Sequence, residues 1–88
     1  MHTSFSDIRQ QILDVIIIAT GRVVSEADLE ASAGNLHEAG VNSIGIINIL
    51  EALESRYGIL INEEDDLAFL ENVDDIAQFV LKDQGAKA

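Results

Sequence analysis

The chain is predicted to be all-α. Three observations carry that reading: apolar residues recur at helical spacing in three separate segments, the chain has no proline, and no alternation of period two lasts long enough to build a sheet. Helices patterned in this way bury their apolar stripes against one another in a small bundle.

The first segment starts at Thr3 or Ser4, either of which can cap a helix, with Asp7 near its positive end. Ile8, Ile12, Val15, Ile16 and Ala19 then share one face and leave Arg9, Gln10, Gln11 and Asp14 to water. The β-branched run Val15 to Ile18 would also suit a buried strand. The stripe begins two turns earlier, so a helix is expected over residues 4–20, ended by Gly21.

Residues 21–42 form a long connector, and long connectors usually carry structure or function. Ser25 stands three residues before Asp28, a capping-box pattern that predicts a short helix near 26–33, with Leu29 and Ala33 facing inward before Gly34. Leu36 should anchor the rest of the connector to the core, and His37 reads as a lone surface histidine.

The second major helix is expected over Ser43 to Tyr57, where Ile46, Ile49, Leu50, Leu53 and Tyr57 form the buried stripe. Gly45 costs roughly 1 kcal/mol relative to alanine in its first turn, but permits another chain or ligand to approach closely. On a different face lie Ile44, Ile47, Glu51 and Glu54. Two readings of that face stand: a widened core stripe beside solvated glutamates, or a surface for a partner.

After Gly58, Ile59-Leu60-Ile61 reads as an extended apolar segment tucked into the core. Asn62 is expected to cap an acidic turn, Glu63 to Asp66, with Leu67 and Phe69 as anchors. That turn lacks the alternating ligands, central glycine and closing glutamate of a calcium loop, so dipole compensation explains it better. Asn72 caps the last helix, Asp74 and Asp75 lie in its first turn, and Val73, Ile76, Ala77 and Val80 are its buried face, supported by Phe79 or Leu81. The core is expected over about 4–82 of a single domain, with the tail from Asp83 frayed.

Composition narrows the function. Eighty-eight residues, 48% of them hydrophobic, make one core built mainly from aliphatic side chains. A formal charge of −11 argues against nucleic acid and anionic membranes and favours partners with basic patches. No basic leader precedes an apolar run, and Val15–Ala19 is far below the ~20 residues of a membrane span, so a soluble, cytoplasmic monomer is expected. Without cysteine there is neither a disulfide nor a thiolate nucleophile. The chain has no glycine-rich phosphate loop, and positions i+3 and i+4 from Ser43 are Ile46 and Ile47 rather than bases. His37 can reach Ser43 across the turn, but no third group is evident, so no catalytic residue and no metal site are expected. From the residues alone Ser43 is either a helix cap or a covalent attachment point.

The block Leu36-His37-Glu38-Ala39-Gly40-Val41-Asn42-Ser43-Ile44, the helix through Leu53-Glu54, Tyr57-Gly58-Ile59 and the closing Glu71 to Ile76 resemble the acyl carrier protein family, a likeness that covers most of the chain. The resemblance implies a four-helix bundle with a long first loop, here holding an extra short helix. It implies 4′-phosphopantetheine, taken from coenzyme A, esterified to Ser43 and holding acyl groups as thioesters. It also implies recognition through Asn42, Ile44, Ile47, Glu51 and Glu54 by a phosphopantetheinyl transferase, an acyl- or aminoacyl-loading ligase and downstream acyl-transfer enzymes with basic patches. The family usually has Asp before the serine and Leu after it; here they are Asn42 and Ile44, so a charge next to the serine is missing. The alternative reading is an acidic adaptor without a prosthetic group that binds a protein through the second major helix.

Overall fold

In a computed structural model that describes residues 4–61 and 68–87, the element order is α1 (Phe5–Ala19), α2 (Glu26–Ala31), α3 (Leu36–Ala39), α4 (Ser43–Tyr57), a 3-10 helix (Ala68–Glu71) and α5 (Val73–Lys87). The expected roles of Thr3, Asn62, Glu63 to Asp66 and Leu67 lie outside the described residues.

Local chemistry sets these boundaries. The Ser4 hydroxyl oxygen accepts the Asp7 N–H at 3.2 Å and starts α1. At the other end the Thr20 hydroxyl donates to the Ile16 carbonyl at 2.8 Å, and the Arg22 N–H returns to the Ile17 carbonyl at 2.8 Å. Helix α2 has the full capping box: the Asp28 N–H donates to Ser25 Oγ at 3.2 Å and the Ser25 N–H to Asp28 Oδ2 at 3.0 Å. It stops at Ala31, short of the expected residue 33, because Ala33 turns left-handed with φ 55° and the Gly34 N–H bonds back to Leu29. Ala33 is consequently exposed, not inward-facing, while Leu29 is buried as expected.

The single turn of α3 is a helix too short to show a periodic stripe in the sequence. Asn35 caps it by accepting the Glu38 N–H at 2.9 Å, and Leu36 is its buried anchor. The chain just before it is tied to the start of α5, where the Val73 N–H donates to the Gly34 carbonyl at 2.8 Å and Asn35 pairs with Asn72 in an isolated antiparallel bridge. Asn72 also accepts the Asp74 N–H at 2.8 Å, opening α5 as expected.

Helix α1 packs against both α4 and α5, and α5 against the 3-10 helix. Ile12, Ile16, Ile49, Leu53, Ile76 and Val80 are buried at the centre, each contributing about 1.5–3 kcal/mol relative to exposure. Leu13, Val24 and Val41 join this core beyond the expected stripes. The Tyr57 hydroxyl donates to Gln11 Oε1 at 2.9 Å and ties the end of α4 to α1. Phe69 and Phe79 stack with centroids 4.2 Å apart.

One further expectation is corrected. Leu60 is 96% exposed, because an extended segment sends alternate side chains to opposite sides and the core takes Ile59. The last helix continues past Asp83 to Lys87, and Gln84 has a partner: its Nε2 donates to the Tyr57 carbonyl at 3.1 Å.

Candidate functional site: the start of helix α4

Gly40 takes φ 106°, a conformation glycine adopts without strain, and the Val41 N–H closes α3 by returning to the Leu36 carbonyl at 2.9 Å. Val41 then enters the core and Asn42 is extended. The Asn42 carbonyl accepts the Ile46 N–H at 3.0 Å, and its side-chain Oδ1 accepts the Gly45 N–H at 2.8 Å. Asn42 is therefore the cap, and Ser43 is the first residue of the helix. This corrects the reading of Ser43 as the cap: a neighbour already does that work, and the hydroxyl has no intramolecular partner among the described residues. The N–H groups of Ser43 and Ile44 likewise meet no acceptor there.

Serine inventory makes Ser43 distinct. Ser4 and Ser25 spend their hydroxyls on caps, and Ser32 donates to the Leu29 carbonyl. Among the described residues Ser6, Ser43 and Ser55 remain without side-chain partners, and of these Ser43 fronts a cleft of about 470 Å³. Val41, Ile46 and Leu70 give that cleft apolar walls; Asn35, His37, Glu38 and Glu71 give it polar ones. His37 is exposed and shares the cleft with Ser43, but makes no hydrogen bond to it.

The close approach that Gly45 permits is internal. A Cβ there would stand 2.9 Å from Val41 Cγ1 and 3.5 Å from Thr20 Cγ2, so the glycine seats the start of α4 on the end of α1. On that side Ile44 lines a smaller cleft of about 170 Å³ with Thr20 and Val23.

The outer face of α4 divides. Ile44 is 69% and Ile47 55% exposed, so neither widens the core stripe, and Glu51 is exposed beside them. Glu54 is half-buried, and its Oε2 accepts the Ile61 N–H at 3.2 Å, a local structural bond that the helical spacing did not reveal. Ile18 and Val23 add exposed apolar surface near the end of α1 that was not singled out from the sequence. The signal for Ile18 is present: four consecutive apolar residues, Val15 to Ile18, exceed what one helix face can bury. Among the described residues no cluster of His, Asp or Glu is placed to hold a metal ion, and no helix is long and apolar enough to cross a membrane.

Fold and site together define a small helical domain that displays one uncommitted serine at the mouth of a cleft. Residues 8–80 match the model of the phosphopantetheine attachment site family, and the chain belongs to that family. Searches of curated proteins and of solved structures gave no match. Members of the family carry 4′-phosphopantetheine, and a carrier domain of this kind is not an enzyme by itself.

Proposed function

We propose that the chain is an acyl carrier whose 4′-phosphopantetheine is attached at Ser43. The observation that carries this reading is the division of labour between neighbours: Asn42 caps α4, which leaves the Ser43 hydroxyl exposed and unengaged. The residues around it fit the group. The free N–H groups of Ser43 and Ile44 offer donors to a phosphodiester, and α4 has no acidic residue in its first turn to oppose it.

Attachment is performed by a separate transferase. The Ser43 hydroxyl loses its proton, its oxygen bonds to the phosphorus that bears pantetheine, the pyrophosphate bridge of coenzyme A breaks, and the nucleotide half leaves. When bound, the group supplies a terminal thiol that holds an acyl cargo as a thioester. The chain's own residues orient and shelter: Val41, Ile46 and Leu70 offer apolar surface beside Ser43, worth about 0.8 kcal/mol for each CH₂ buried on it. Ile44, Ile47 and Glu51 present an apolar and acidic face to loading and acyl-transfer enzymes with basic patches, and the charge of −11 speeds those encounters. Incubation with coenzyme A and a broad-specificity phosphopantetheinyl transferase should raise the intact mass by one phosphopantetheine, and Ser43→Ala should abolish the gain. Absence of any gain with several transferases would favour the adaptor without a prosthetic group.

A further inference from the structure

We propose that Asn42 is a positioning residue for the phosphodiester on Ser43, with its side-chain amide bonding the phosphate through Nδ2 while Oδ1 holds the helix. This rests on the reading of Ser43 as the attachment point. Three observations carry it. Asn42 Oδ1 is committed to the Gly45 N–H at 2.8 Å, so the oxygen of the amide is spent inside the chain. The amide nitrogen keeps two donors with no acceptor among the described residues, on an exposed side chain one position from Ser43. The other α-helices bear acids in their first turns, Asp7 in α1, Glu26 and Asp28 in α2, Glu38 in α3, and Asp74 and Asp75 in α5, whereas α4 bears none.

The choice of amide over carboxylate has a physical consequence here. Aspartate would cap Gly45 equally well, but it would set a second negative charge beside the phosphodiester and would lack the donor. Serine would cap and stay neutral, again without the amide donor. Asparagine keeps the cap, adds no charge and supplies a hydrogen bond to an anion, the stronger kind. Asn42 thus restrains the root of the arm rather than its reactive end. The free N–H groups of Ser43 and Ile44 converge on the same first turn.

Two-dimensional NMR of the uniformly ¹⁵N-labelled chain, before and after loading from coenzyme A, tests this directly. The Asn42 Nδ2 proton resonances should move downfield on loading. In the loaded Asn42→Ser and Asn42→Asp variants the ³¹P resonance of the phosphodiester should shift from its wild-type position while the Gly45 amide stays protected from exchange. A purely structural cap predicts a different pattern, since both variants retain it: unmoved Nδ2 resonances on loading, and one ³¹P position for wild type and the neutral Asn42→Ser variant, with Asn42→Asp displaced only by its added charge. That pattern overturns the proposal. A chain that gains no mass loses the Ser43 reading and this inference together, whereas a loaded chain with unmoved resonances loses this inference alone.

Discussion

Gly45 donates its backbone N–H to Asn42 Oδ1 at 2.8 Å, and a Cβ on Gly45 would stand 3.4 Å from that same oxygen and 2.9 Å from Val41 Cγ1. The cap and the missing side chain are one arrangement. Alanine usually gains about 1 kcal/mol over glycine in a helix. At Gly45 the crowding of buried Val41 should outweigh that gain, since overpacking costs about 1–3 kcal/mol. Gly45→Ala is therefore expected to lower the urea midpoint, and a rise would show that Val41 yields freely.

Ala33 invites the opposite substitution. It is exposed and held at φ 55°, where an L-residue pays about 1–2 kcal/mol that glycine does not. Ala33→Gly should stabilise the fold by about 1 kcal/mol in urea denaturation, after the entropy that glycine adds to the unfolded chain is set against the relieved strain.

Tyr57 provides a pH test. Partial burial raises its pKa above the ordinary 10.0, opposed by the nearby positive charge of Arg56 and its hydrogen bond to the phenol. The fold thus prefers the neutral phenol, which donates to Gln11. That preference stabilises the fold fully below pH 10 and is lost as pH rises through the raised folded value. Tyr57 is the one tyrosine and there is no tryptophan, so phenolate absorbance reports it cleanly. The titration midpoint should lie above 10 in the folded chain and return to about 10 in denaturant.

Glu51 and Glu54, alike in sequence, should separate in experiment. Glu51→Lys is expected to change stability by less than about 0.5 kcal/mol while slowing modification by a transferase with a basic docking face. Glu54→Ala removes the acceptor of the Ile61 N–H and should cost about 1 kcal/mol with little effect on modification once folded. Denaturation curves beside loading rates distinguish the two.

Much of this was readable from residues one at a time. Ser4, Ser25 and Asn72 cap where their types and offsets said they would, and α4 runs from Ser43 to Tyr57 as its stripe required. Local periodicity carried those elements. It failed where tertiary contacts decide: α3 is one turn, too short for a stripe, and is held by Leu36 and the Asn35–Asn72 bridge. Glu54 looked like a surface acid because its partner lies in an irregular segment seven residues on. At the site, serine and asparagine are both good caps, so sequence could not say which of Asn42 and Ser43 takes that position. The geometry assigns it to Asn42.

The most direct test is to locate the modification after loading. Fragmentation mass spectrometry of the loaded chain should place one phosphopantetheine on Ser43, the serine that faces the cleft with its hydroxyl uncommitted. Ser6 and Ser55, equally uncommitted but away from that cleft, should stay unmodified. A group found on either of them, or a gain in mass that persists in Ser43→Ala, would contradict the assignment.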